Sequence, residues 1–541
     1  MAPHGPVPGS RSFVRGAALL AGASLFGRLL GGLARIPLTR FLGGEGMGLF
    51  QMAYVIYVAA ITFAISGLNV ATSRLVAEWL ARGSPREAAR VFRSALVLGL
   101  VTGVGFWLVV DRGALYLATA VLRDGRAAAV LRSVAPAIVP ISLIAVFKGY
   151  FQGFQDMVPS SSAQALEQVV RVGAMMWFVF VLRDQGLERA VSGAVQGTVI
   201  GAMTALAFLV ALYARRQARL SGQARARPAG RLRLPPGPGE TAGAVLAVAV
   251  PVTVGAAVLP VMDAVQTFLV PGRLQAAGVD PGVVTHLYGQ LHGMAYPLVG
   301  LPAIVAAALA AALVPAIADA VERGARAEAE ARISASLRLT VIFSLPATAG
   351  LVILARPINQ MLFGIPEAGV PLIYVSGACL LISVQQTTTG VLQGLGFVRV
   401  PLYGLLAGLG ANAVTTYFLA AMPALGINGA ALGIVAGFLV ASSVNLAAVF
   451  ATTRMRFDVP GLVFRPAVAT AAMSVATAVI YRWLMGACVG NVAATVLAVV
   501  FGASSYLISL VAVGGLSSRE LRLIPVLGPK LAGLFRWGGP R

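Results

Sequence analysis

Arg28 and Arg35 lie seven residues apart inside the first long apolar run, with Gly31 and Gly32 between them. On a helix that spacing sets both guanidinium groups on one face. A charge at bilayer depth is costly and marks a polar cavity or pathway, and Arg28 sits too near mid-run to snorkel easily to the interface. Two always-charged groups of this kind disfavour a cationic cargo. The glycines either leave room beside the arginines or let another helix approach. Asp263 lies inside another apolar run. An acid there must be paired, protonated or ion-bound, so it is a candidate for coupling a cation, Na+ or H+, or for a structural bond to a nearby arginine or hydroxyl. Glu167 and Arg171, four apart, read as a structural ion pair. The run Gln385-Gln386-Thr387-Thr388-Thr389 is too polar to face lipid, which makes Gln385 and Gln386 candidates for lining a cavity. His292 joins them from a stretch with Pro297, Pro302 and Pro315, a density that implies broken helices of the kind that line cavities.

No set of residues for covalent chemistry accompanies these groups. Cys379 and Cys488 fall in separate apolar runs and give neither a disulfide framework nor metal spacing. His286 and His292 are six apart, on different helix faces. There is no GxxxxGK[ST], no acidic cluster for magnesium, and no convergent carboxylate pair or nucleophile with its base. The expectation is a protein that is not an enzyme, has no catalytic residue, metal site or cofactor, and does not itself consume ATP.

The elements that position these residues are membrane helices. Of 541 residues, 58% are hydrophobic and 11% charged, against about a quarter charged in soluble proteins. Mean hydropathy is +0.85. The fold class is an all-α polytopic membrane protein. Fourteen spans of roughly 20 residues fall near 16–39, 47–70, 94–118, 128–152, 162–182, 190–214, 242–270, 284–314, 336–358, 370–394, 401–421, 428–450, 466–486 and 492–514. The first run carries two arginines and no small-residue cleavage site, so it is not a signal peptide. With the N-terminus in the cytoplasm, 28 of the 41 lysines and arginines fall inside and ten outside. That asymmetry sets both termini in the cytoplasm. The net charge of +22 is therefore an orientation signal, not a sign of nucleic acid. Residues 1–12 read as disordered, 13–214 as an N-lobe of six spans, and 215–241 as a basic cytoplasmic linker able to touch anionic lipid headgroups. Residues 242–451 read as a C-lobe of six spans, 452–514 as an added helix pair, and 515–541 as a basic cytoplasmic tail.

The two lobes echo one another. Gly149-Tyr150-Phe151-Gln152-Gly153 returns as Gly390-Val391-Leu392-Gln393-Gly394, and Met52-Ala53-Tyr54 returns as Met294-Ala295-Tyr296. Six spans per unit is an even number, so the duplication is a parallel repeat, with its cavity expected between six-helix lobes.

The runs SLFGRLLGGLARIPLTRFLGGEGMGLFQMAY, GLNVATSRLVAE, KGYFQGFQDMVPSSSAQALEQVVRV and VMDAVQTFLVPGRL resemble the stage V sporulation protein B group. That group is a polysaccharide-biosynthesis branch of the multidrug, oligosaccharidyl-lipid and polysaccharide exporter superfamily, which also holds the lipid II flippases. The resemblance covers essentially the whole chain. It implies flipping of undecaprenyl-pyrophosphate-linked sugars across the bacterial plasma membrane, for peptidoglycan, spore cortex or other polysaccharide. It implies basic residues on the first helix lining the cavity, a placement that Arg28 and Arg35 match. The lipid II flippases also carry an arginine high on the second helix and one on the eighth, where this chain offers Thr62 and His286 or His292. The departure leaves the sugar open. The expected partners are the lipid-linked sugar, membrane lipids and proteins of cell-wall synthesis, with the chain itself a monomer. A cation-coupled multidrug exporter of the same superfamily is the alternative. Its cationic cargo would want acids where this chain has arginines.

Overall fold

The computed structural model describes residues 10–223, 238–453 and 460–515, which are helices and short connections with no strand among them. The N-terminal nine residues, the stretch from 224 to 237, residues 454–459 and the tail from 516 lie outside the described residues, and with them most of the expected disordered N-terminus, the middle of the basic linker and nearly all of the basic tail. Helix continues into both ends of the expected linker, to Gln223 and from Pro238. Uninterrupted helix follows from the apolar composition, because within a bilayer each backbone polar group must be satisfied inside its own segment.

Helix α1, Ser10–Ala81, is 72 residues long and contains one non-helical residue, Gly43, at φ 68°. That backbone region is open to glycine and strained for residues with a Cβ. The apolar part of α1, Gly22–Ala81, has 60 residues, about twice what one crossing needs. The break at Gly43 therefore makes two crossings joined without a loop. Next come α2 (Pro85–Tyr116), α3 (Ala127–Val134) and α4 (Ile138–Gly153). A short 3-10 turn around Pro136 joins α3 to α4, as a proline without an amide hydrogen requires. Helices α5 (Val158–Leu182), α6 (Leu187–Gln223), α7 (Pro238–Ala276) and α8 (Pro281–Tyr288) follow, and a π-helix over Gly289–Ala295 leads into α9 (Tyr296–Glu322). The chain continues through α10 (Arg326–Ile353), α11 (Ala355–Phe363), α12 (Gly369–Val375), α13 (Gly377–Gly394), α14 (Arg399–Leu419), α15 (Ile427–Thr453), α16 (Arg465–Gly486) and α17 (Asn491–Ala512).

Among the described residues 12 helices are long and apolar enough to cross a membrane, and the pair α12–α13, bent by 46°, makes a thirteenth. Counting α1 as two crossings at Gly43 recovers the fourteen spans. The chain forms two compact units, 1–293 with 420–427, and 294–419 with 428–541. The division falls inside the eighth span, so α7 and α8 pack within the first unit, whereas the sequence repeat counts them with the second.

In the first unit Phe92 of α2 packs on Phe147 and Tyr150 of α4 and Tyr213 of α6, with ring centroids 5.2, 4.5 and 5.0 Å away. The glycines of the repeated motif explain the close helix contacts around this core. A Cβ at Gly149 would stand 2.6 Å from the carbonyl oxygen of Asn69, and one at Gly153 would stand 2.7 Å from Val76 Cγ1, both on the second limb of α1. In the second unit Gly390 and Gly394 press α13 on α9 in the same way, at 2.8 Å from Ala310 O and 2.9 Å from Ile317 Cβ. Gly197 and Gly201 set α6 against α5, and Gly433 and Gly437 set α15 against α14. The duplication is thus one of packing as well as of sequence.

Candidate functional site

Three arginines of the first unit, Arg28, Arg35 and Arg171, lie on the first limb of α1 and on α5, which pack against each other. Gln164 Nε2 donates to Ser24 Oγ at 3.3 Å. One turn on, the Gln168 side chain lies over Gly27 and Gly31, its Nε2 2.9 Å from where a Gly31 Cβ would be. Numbers on the two helices rise together through these contacts, so the helices run parallel. The next turn brings Arg35 of α1 level with Arg171 of α5, and the two lie within electrostatic reach of each other. Residues 164, 168 and 171 form one polar stripe at helical spacing, and this stripe is what α5 turns toward α1.

The expected Glu167–Arg171 pair is not formed among the described residues. Arg171 Nη2 donates instead to Gln168 Oε1, three residues earlier and on the face toward α1. Glu167 sits one position round the helix, within reach of Lys148 on α4 and of Tyr57. Neither Arg28, Arg35 nor Arg171 pairs with a carboxylate among the described residues. Arg28 is exposed, while Arg35 and Arg171 are half-buried. The layer therefore carries several cations to one acid and is suited to an anion. Lys148 and Gln168 were not singled out from the sequence, although the 164–168–171 stripe was there to be read.

The other candidates are placed elsewhere. Asp263 is half-buried on α7. Its backbone carbonyl accepts from Thr267 Oγ1 at 2.8 Å, and Thr267 Oγ1 lies 2.7 Å from the Tyr288 hydroxyl. Its carboxylate has neither hydrogen bond nor ion pair among the described residues. His292 is buried in the π-helix and stacks on Tyr288 at 4.4 Å, so it belongs to this α7–α8 packing and not to the α1–α5 layer. Gln385 and its neighbours lie in the second unit, where much of the polar run is used within the fold. Gln385 Nε2 donates to Thr389 Oγ1 at 3.2 Å, Asn445 Nδ2 donates to the same oxygen at 3.1 Å, and Thr387 shares a hydroxyl bond with Thr340 at 2.7 Å. Gln386 is half-buried, with its Oε1 buried and unbonded.

A second polar cluster stands at the Gly43 end of the first unit. Arg126 Nη1 donates to Glu45 at 2.7 Å and its Nη2 to Asp124 at 2.8 Å, while Thr285 Oγ1 donates to Asp124 Oδ2 at 2.7 Å. Three elements are tied together: the turn within α1, the α2–α3 link and the middle of α8. Burial pushes the Asp124 carboxyl up, but the hydrogen bonds from Arg126 and Thr285 outweigh it and hold the carboxyl below its ordinary range. The hydrogen bond to Asp124 likewise raises the Arg126 guanidinium. Backbone meets backbone here too, since a Cβ at Gly48 would stand 2.0 Å from Thr285 O.

The family model described as polysaccharide biosynthesis protein matches residues 13–321. Stage V sporulation protein B of Bacillus subtilis (strain 168) is 28% identical over 519 residues, 96% of this chain and 98% of the relative. Among solved structures, a lipid II flippase MurJ in an inward closed conformation aligns with TM-score 0.67 and 13% identity, over 91% of this chain and 98% of that one. An inward-facing multidrug resistance MATE family transporter aligns with TM-score 0.63 and 18% identity, over 79% and 94%. These two likenesses establish the fold.

Proposed function

The chain belongs to the polysaccharide biosynthesis protein family, and from that premise we propose that it is a flippase for undecaprenyl-pyrophosphate-linked oligosaccharide or a lipid II-like peptidoglycan precursor. It would move this cargo across the bacterial plasma membrane by alternating access, for cell wall, spore cortex or polysaccharide synthesis. The observation that carries the proposal is the pair Arg28 and Arg35 on α1, inside a helix long and apolar enough to cross a membrane and without a carboxylate partner among the described residues. A pyrophosphate wants fixed bidentate donors, which arginine supplies and lysine does not. The polyprenyl tail needs no pocket, because it can stay in lipid. The likeness to a sporulation protein over nearly the full length and the flippase fold support the same reading. In it the chain transports and performs no catalysis, works as a monomer with both termini in the cytoplasm, and draws on a cation gradient, Na+ or H+, through Asp263. The multidrug exporter reading shares the fold, but a cationic drug would meet guanidinium groups where it needs acids. The test is depletion of the protein in a strain without a redundant flippase. A lipid-linked sugar intermediate should accumulate on the cytoplasmic leaflet, and unchanged levels of every such intermediate would overturn the proposal.

A further inference from the structure

We propose that Arg35 and Arg171 form a two-helix clamp for the diphosphate of an isoprenoid-linked lipid, with Gln168 as the residue that positions Arg171. The inference rests on the flippase reading and deepens it, since it moves half of the headgroup seat from α1 to α5. Three observations converge. The rising ladder Ser24–Gln164, Gly31–Gln168 puts Arg35 and Arg171 on one level of two parallel neighbours. Each is about one helical turn beyond the Gly31–Gln168 contact. Glu167, the acid of this layer among the described residues, is within electrostatic reach of Lys148 and Tyr57 and forms no ion pair with either arginine. Arg35 and Arg171, with Tyr54 and Tyr57 beside them, therefore repel each other in a low-dielectric layer.

Arg171 is also held in place and not left to snorkel. Gly197 and Gly201 of α6 press on its backbone, where a Cβ would come within 2.8 Å of Arg171 O and of Arg171 Cβ. Its guanidinium is bonded by Gln168 Oε1. Gln168 is only 5% exposed, and its Nε2 is buried at the α1–α5 seam without an acceptor. A buried donor left unsatisfied is costly and calls for an incoming oxygen. Two forks and one amide match a diphosphate, which spreads its negative charges over several oxygens. A phosphodiester headgroup offers one charge and fewer oxygens.

The test uses the purified full-length protein in detergent, with farnesyl diphosphate, farnesyl monophosphate and phosphatidylglycerol as probes. Wild type should prefer the diphosphate to both others. Arg171→Ala should weaken diphosphate binding by about tenfold or more. It should leave the thermal midpoint of the ligand-free protein close to that of wild type, because the lost bond to Gln168 is offset by the repulsion removed. Arg171→Lys keeps the charge but not the fork and should still bind several-fold more weakly; it carries the test if the alanine variant does not fold. Gln168→Ala should give a smaller loss, and the double variant Arg35→Ala/Arg171→Ala should lose less than the product of the single losses. Wild-type affinity in the Arg171 variants overturns the clamp, as does a fall in ligand-free stability that accounts for the lost binding. Equal binding of phosphatidylglycerol overturns it as well, in favour of a general lipid-phosphate site. If Arg28→Ala or Arg35→Ala loses the diphosphate while Arg171→Ala keeps it, the clamp fails and the flippase reading stands. If wild type ignores the diphosphate, both fail.

Discussion

At the scale of single residues, charge and its partners decide the outcome. Replacing Arg28 or Arg35 with alanine should abolish or sharply reduce complementation of a flippase-depleted strain at normal membrane abundance, since hydrogen bonds to charged groups are worth about 1.5–3 kcal/mol each. Lysine should rescue poorly. Full complementation by Arg28→Ala would remove that residue from the site. Asp263→Asn separates two roles: lost transport with intact folding marks cation coupling, whereas lost stability in detergent marks a structural group. The Asp124 cluster makes a prediction in pH. Because the folded carboxyl is held below its ordinary range, the stability it contributes is complete above about pH 4 and is lost as pH falls through the folded value. The difference in thermal midpoint between wild type and Asp124→Asn should therefore be flat from about pH 5 to pH 8 and shrink in stronger acid. Thr285→Val should cost about 1–2 kcal/mol, read as a lower midpoint at neutral pH.

At the scale of helices, glycine sets which surfaces meet. A Cβ at Gly67 would lie 1.9 Å from the carbonyl oxygen of Ala249, so α1 and α7 touch backbone to backbone. Gly67→Ala should then destabilise by about 1–3 kcal/mol through forced separation. Gly105, in the middle of α2, has nothing within 4 Å of an added Cβ. Gly105→Ala should be neutral or stabilising by up to about 1 kcal/mol, the helix-propensity difference. Thermal unfolding of the two variants in one detergent compares them directly; equal effects would mean that the close contact does not govern the packing.

For the whole molecule, the even number of spans predicts that reporters fused to either terminus are active only in the cytoplasm; an external C-terminus would require an odd number of crossings. The crossings themselves were legible in the sequence, because apolar length acts locally, and Gly149 and Gly390 marked the repeated contact. Proline density was less informative: α9 runs as one helix through Pro302 and Pro315, and the irregular π-helix lies before Pro297. Partner choice was less legible. Arg171 has Glu167 four residues back and Gln168 three back, and only the position of α1 decides between them. The polar run at 385–389 reads the same whether it faces a cavity or a neighbouring helix, and Asn445 and Thr340, far away in the chain, supply the answer. His292 was likewise ambiguous, since stacking on Tyr288 depends on the π-turn that brings the two rings together.

The Arg126 side chain remains 39% exposed while it holds Glu45 and Asp124. With the N-terminus in the cytoplasm, that cluster is on the cell's outer surface. A membrane-impermeant dicarbonyl reagent applied to intact cells would then reach the exposed part of Arg126, whereas with the opposite orientation it would do so only after the membranes are opened. The adduct would remove both ion pairs without any mutation, so the same chemistry reports the orientation of the chain and turns its outer tie into a point of attack from the growth medium.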